Sequence, residues 1–280
     1  MIKQKKMKLC VFIHFSNDNF IPKYVQIYLK ELVRHFDEII LVTNKRAIHS
    51  GVGELHSKIR LQEVTNEGYD LGMFYKAFQT LELDNYSQIA CINDSNILFN
   101  VLDRIFEWGK VNSFDFWGLI DSYQEPWFSS HQDSYHIQSH FLVFNKKAIE
   151  LLPGFFQSLN LNHLFQEENK KLLRRKVIDK WEIGITQYMV KSGLSVGSFY
   201  DSKIVQLQNN IKKDINLSHN QYASLIESGY PLIKKKIIMK NRWIMDFLRP
   251  RLKWDILLLK HGHREWKIVQ LIQELTSMKK

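Results

Sequence analysis

Cysteine is nearly absent: Cys10 and Cys91 are the only two in 280 residues, and both sit inside apolar runs. They read as small buried hydrophobes in a reducing compartment, with neither a disulfide framework nor a thiolate metal site. Zinc is not expected, because His261-Gly-His263 lacks partner ligands at typical spacing. Five prolines and twelve glycines form no low-complexity linker, and no internal repeat is visible. No stretch approaches the roughly 18 uncharged apolar residues of a membrane span. The lysine-rich start has the charge of a signal peptide. However, Leu9–Phe15 is only a strand's length and runs into Ser16-Asn-Asp-Asn19 without a small-residue cleavage site, so secretion is not expected. The expected location is the cytoplasm, peripheral on the inner face of the cell membrane. Acidic residues are scarce at one end: residues 230–280 carry thirteen Lys and Arg against four Asp and Glu, a net +9 of the chain's formal net charge of +10.

A hydrophobic content of 45% is enough for one large core or two small ones. Leu9–Phe15, Glu38–Val42, Ile59–Val64, Gln88–Ile92 and Ser195–Tyr200 read as strands. The spacing of Val25, Tyr28, Leu29, Leu32, Val33 and Phe36 predicts an amphipathic helix begun by Pro22. Further helices are expected over 71–81, 101–110, 146–158, 163–176 and 180–190, and one continuous strand over 136–144. Ser122–Tyr135 reads as a loop long enough to be a lid. Strands alternating with helices imply βαβ units and a mainly parallel sheet flanked by helices. Two units are expected, an α/β domain over 1–205 and a basic helical extension over 206–280.

Two apolar strands end in acidic turns, at Asn93-Asp94-Ser95 and at Asp121-Ser122. Ligands of open α/β sheets sit outside the carboxyl ends of the strands, and a carboxylate there can hold Mg²⁺ or Mn²⁺ against a diphosphate. The alternative for Asn-Asp-Ser is a plain turn, which these residues favour by bonding their own backbone. Asn66, Gly68, Tyr69 and Asp70 form a loop before a helix, where free N–H groups meet phosphate and Asp70 meets ribose or sugar hydroxyls. Asp70 alone is equally a helix N-cap. His136, Gln138 and His140 either line an acceptor or phosphate cleft or are satisfied structural groups.

Taken together, Asn66-Glu-Gly-Tyr-Asp70 with Phe74, Asn93-Asp94-Ser95, Asp115-Phe-Trp-Gly118, the His136–Phe144 run and Trp181-Glu-Ile-Gly184 resemble the rhamnan synthesis protein F family of bacterial glycosyltransferases over residues 9–205. The resemblance implies a GT-A-like fold and transfer of a sugar, L-rhamnose, from a dTDP- or UDP-linked donor. The acceptor it implies is a glycan or polyprenyl-linked chain of a cell-surface polysaccharide, with inversion at the anomeric carbon. The turn at 93–95 lies where many GT-A enzymes carry Asp-X-Asp, yet only Asp94 is acidic. One carboxylate plus diphosphate is a minimal cation site, which leaves the divalent cation open. Glu182, expected at a helix start, is the resemblance's candidate for the base that takes the acceptor proton, and Asp121 is its rival. A first-turn Glu at that place is the structural alternative.

In the tail, Trp243, Phe247 and Trp254 interleave with Lys234–Lys236, Arg242, Arg249 and Arg251. That combination suits an anionic membrane surface, or a helical pair packing its apolar stripe on the catalytic domain. Nucleic acid is not expected as a partner, since no helix-turn-helix, zinc finger or RNP signature appears. A non-catalytic nucleotide-sugar or glycan-binding scaffold is the remaining alternative.

Overall fold

An unbroken apolar run such as Leu9–Ile13 suits a strand covered on both faces. In the computed structural model, which describes residues 6–15, 20–44, 55–211, 215–239 and 253–277, this run forms the central strand β1 (Met7–His14). Helix α1 (Lys23–Leu32) follows Pro22 and buries Val25, Tyr28, Leu29 and Leu32. Strands β2 (Glu38–Thr43) and β3 (Ile59–Glu63) then build outward in parallel on one side of β1. After α2 (Tyr69–Phe78) the chain crosses to the other side of β1 and lays down β4 (Tyr86–Asn93), again parallel.

A short strand β5 (Asn96–Leu98) and α3 (Asp103–Asn112) lead to β6 (Phe116–Ser122), β7 (His136–Ile137) and β8 (Phe141–Asn145). Strand β8 is inserted antiparallel between β4 and β6, and β9 (Val196–Tyr200) adds to β6 in parallel. The eight-stranded sheet has the order β3-β2-β1-β4-β8-β6-β7 with β9 also on β6. This is the expected mainly parallel α/β sheet flanked by helices. Its two faces carry separate apolar layers: Cys10 and Phe12 pack with α1, and Leu9, Val11 and Ile13 pack with α2 and with α4 (Lys146–Ser158).

Three expectations are corrected. The run 136–144 is two strands, because residues 138–140 leave the extended line at a turn where the Gln138 N–H donates to Ile120 O. The helix expected over 163–176 is split into α5 (Leu161–Phe165) and α6 (Lys170–Val177). Asn169 restarts it, its side chain accepting from the N–H groups of Lys171 and Leu172. No helix begins near residue 180: α6 continues through a π-helical turn (Ile178–Ile183) into α7 (Gly184–Lys191). Glu182 therefore stands inside a long helix and gains nothing from an N-terminal dipole.

Described residues beyond 205 also contribute to the apolar layer that holds α1. After α8 (Ser202–Gln208), α9 (Leu217–Asn220) and α10 (Tyr222–Glu227), strand β10 (Leu232–Lys234) pairs antiparallel with β5 and leads into α11 (Lys235–Met239). Helices Trp254–His261 and Ile268–Ser277 bury Leu257, Leu258, Ile268, Val269 and Ile272 in the layer that holds α1. Trp243, Phe247, Arg242, Arg249 and Arg251 lie outside the described residues.

Candidate functional site

The chain reverses its direction of sheet building between β1 and β4. At such a switch point the following segments diverge above and below the sheet and leave a crevice beyond the strand ends. His14 ends β1, and Asp94 follows the last residue of β4. Their side chains meet across the crevice, with His14 Nδ1 at 2.7 Å from Asp94 Oδ2. Lys235 Nζ donates to the same oxygen at 2.6 Å and the Tyr24 hydroxyl at 3.4 Å. Burial alone would raise the pKa of Asp94, but the Lys235 ammonium and the His14 bond outweigh it and hold the carboxyl below its ordinary range.

The crevice opens into a cleft of about 630 Å³, within the range of small-molecule sites. Asn66, Tyr69, Asp70, Asn93, Asp94, Ser95, His136, His140 and Glu182 all line it. The Asn93 amide donates to Asp70 Oδ2 at 3.1 Å, while Asn93 Oδ1 accepts the Ser95 N–H. Burial first, then the charge of Glu182, push Asp70 up to about 6, against hydrogen bonds from its own N–H, the Leu71 N–H and Asn93. Asp70 makes no side-chain cap to the first turn of α2. Nor is Asp70 the N-cap: that position is Gly68, left-handed at φ 74°.

Glu182 reaches the cleft from the π-helical turn. It accepts from the Ser139 hydroxyl at 3.3 Å and lies 3.9 Å from His136 Nε2. His136 Nδ1 is 2.6 Å from the Ser134 carbonyl, which can only accept, so Nδ1 carries the hydrogen. His140 bonds the Tyr230 hydroxyl at 2.8 Å. Burial, then the charges of Lys234 and His219, hold its imidazole well below the usual range.

Three residues singled out in the sequence do not line the cleft. Asp121 is buried behind it, with Oδ1 accepting the Ser202 N–H at 2.7 Å and Oδ2 accepting the Ser198 hydroxyl at 3.0 Å. Gln138 is buried, its Oε1 accepting from the Ser218 hydroxyl at 2.8 Å. Gly68 lies beneath Tyr69, close against Phe165. The sequence reading in turn missed His14, Ser139, Arg174 and three lysines. Lys234 and Lys236 line the cleft and Lys235 bonds Asp94. Only His14 carried a local signal, standing at the carboxyl end of an apolar strand.

One carboxylate cluster lies elsewhere. Ligand atoms of Glu31, His35 and Asp103 fall within 4.8 Å of one another, but the Arg34 guanidinium already donates to both carboxylates at 2.8 to 3.0 Å.

Residues 39–258 match the family model described as Rhamnan synthesis protein F. Virulence protein VirA of Vibrio anguillarum is 25% identical over 260 residues, covering 85% of this chain and 81% of VirA. Solved structures similar to the chain include the glycosyltransferase GlyE of Streptococcus pneumoniae TIGR4. It is 10% identical, with a TM-score of 0.43 over 98% of this chain and 64% of that one. Another is a 4-diphosphocytidyl-2C-methyl-D-erythritol synthase from Anaerococcus prevotii, 14% identical, with a TM-score of 0.39 over 63% of this chain and 86% of that one.

Proposed function

The chain belongs to the rhamnan synthesis protein F family, and from that premise we propose that this glycosyltransferase moves L-rhamnose from a dTDP- or UDP-linked donor to a bacterial cell-surface glycan or a polyprenyl-linked acceptor. One observation carries the reading: the cleft at the switch point holds the Asp70 and Glu182 carboxylates together with a group of cations, Arg174, Lys234 and Lys236. Sugar transfer needs both, a base for the acceptor hydroxyl and positive charge for the departing diphosphate.

In this reading Glu182 takes the acceptor's hydroxyl proton as the oxygen attacks the anomeric carbon. The bond from that carbon to the diphosphate breaks on the opposite side, inverting the centre, and the electron pair leaves with the phosphate oxygen. Asp70, with Asn93 on its carboxylate, accepts hydrogen bonds from donor hydroxyls. His136, held in one tautomer by Ser134, stands 3.9 Å from Glu182 and helps wall the cleft beside it. The exposed basic residues of the tail hold the protein on the anionic membrane that carries the acceptor.

Thermal melts against a panel of nucleotides and nucleotide sugars test the donor site. A ligand at about 100 times its dissociation constant stabilises the native state by roughly 2.7 kcal/mol. Glu182→Gln should keep the nucleotide-induced shift and lose transfer by about 10² to 10⁴-fold, the usual worth of a positioned base. No shift with any nucleotide would remove the reading. Unchanged transfer in Glu182→Gln would remove Glu182 as the base.

A further inference from the structure

A divalent cation in a glycosyltransferase cleft bridges a carboxylate to the donor's diphosphate, and it requires about six oxygen ligands. Water and phosphate oxygens fill most of that set, so the fit turns on what already occupies Asp94. Asp94 Oδ2 already accepts from His14, Lys235 and Tyr24. Asn93 turns its nitrogen to Asp70 and its oxygen to the Ser95 N–H. An ammonium 2.6 Å from the one carboxylate stands where the cation would sit, and two like charges on one oxygen repel strongly at that range.

We infer that Lys235 replaces the divalent cation: held on Asp94, its ammonium receives the donor's diphosphate together with Lys234, Lys236 and Arg174, so that nucleotide binding needs no metal. This rests on the glycosyltransferase reading and names the part of its site that meets phosphate.

Three observations support it. First, Lys235 is fixed by backbone pairing and is not a mobile surface lysine. The β5–β10 register sets Lys234 opposite Asn96, and the Lys235 N–H donates to Ser95 O at 3.1 Å. Strand β10, paired with the strand that follows the acidic turn, thus brings the lysine back onto that turn, and no reorganisation is needed when phosphate arrives. Second, the neighbouring cations make no ion-pair contact among the described residues. The ion pairs of the cleft engage Lys235 and His136 and not Lys234, Lys236 or Arg174. Burial, with Arg174 and Lys236 adding repulsion against the pull of Glu182, brings Lys234 down to about 8. Such a cluster is stabilised by an anion of two or more charges. Third, His14 and Asp94 anchor the ammonium at the ends of β1 and β4, the two strands that define the crevice.

Calorimetric titration of the full chain with UDP and dTDP, in EDTA and in Mn²⁺, tests this directly. The wild-type protein should bind with the same affinity in both buffers. Lys235→Ala should bind at least tenfold more weakly in EDTA, while Lys235→Arg should remain independent of metal. Wild-type binding that appears only with Mn²⁺ would overturn the inference and keep the glycosyltransferase. So would a Lys235→Ala protein that binds like wild type in EDTA. Absence of nucleotide binding in either buffer would remove the glycosyltransferase reading itself. Should Lys235→Ala not fold, the wild-type titration and the Lys235→Arg variant decide without it.

Discussion

Asp70 shows what a single carboxylate in this cleft costs the fold. Its pKa rises from an ordinary 3.8 to about 6, so folding favours its protonated form. Its contribution to stability is complete below about pH 4 and is lost as the pH passes through 6. Asp70→Asn removes the buried charge. Melting temperature should therefore rise by a few degrees at pH 8 and not at pH 4, within a limit of about 3 kcal/mol set by the size of the shift. Donor affinity should fall in the same variant. A protein more stable at pH 4 as well would trace the effect to packing. Burial pushes the Asp121 carboxyl up as well, against hydrogen bonds from Ser202 and Ser198. Its oxygens are met by Ser198 and Ser202, so Asp121→Asn should cost about 1 to 3 kcal/mol in denaturant unfolding and leave nucleotide affinity as it was. A loss of affinity with unchanged stability would return Asp121 to the site.

At the scale of elements, the loop before α2 concentrates the strain. Gly68 has φ 74° and Tyr69 φ 57°, and a Cβ on Gly68 would lie 2.6 Å from Phe165 Cε1. Gly68→Ala should therefore destabilise by roughly 1 to 2 kcal/mol from the backbone alone and displace Tyr69 and Asp70 from the cleft. Thermal melts and nucleotide titration should fall together. The sheet was legible in the sequence because its central strands are apolar runs bounded by turns, and α1 because its apolar positions keep helical spacing. The strand and helix after Ser122 were less legible. Residues 136–145 are buried nearly throughout, so no alternation marks the turn between β7 and β8. The π-helical turn carries no glycine or proline to announce it, yet it is the element that carries Glu182. π turns of this kind occur often at functional sites, where they rotate one side chain out of helical register.

The cleft becomes complete only at the scale of the whole molecule. Asn66 to Ser95 were readable as candidates because they adjoin strand and helix ends. Lys234–Lys236 were not, because their role depends on β10 pairing with β5, a contact 130 residues and more away in sequence that three residues cannot encode by pattern. The tail's charge is thus divided: part of it lines the cleft, and Lys260, Arg264 and Lys267 are exposed on the far helices beside Leu259, itself 72% exposed. An exposed basic residue near an anionic bilayer contributes about 1 kcal/mol, so these three together raise partitioning roughly a hundredfold. The attraction is screened as the Debye length falls from about 10 Å at 0.1 M salt to 3 Å at 1 M. The protein should therefore sediment with vesicles containing phosphatidylglycerol at 0.1 M salt, remain free of pure phosphatidylcholine vesicles, and be released at 1 M. Replacing Lys260, Arg264 and Lys267 together by Ala should weaken that binding without changing nucleotide affinity, since none of the three lines the cleft. Full retention of binding in the triple variant would move the membrane contact to another face, and binding insensitive to salt would replace the electrostatic account with an apolar one.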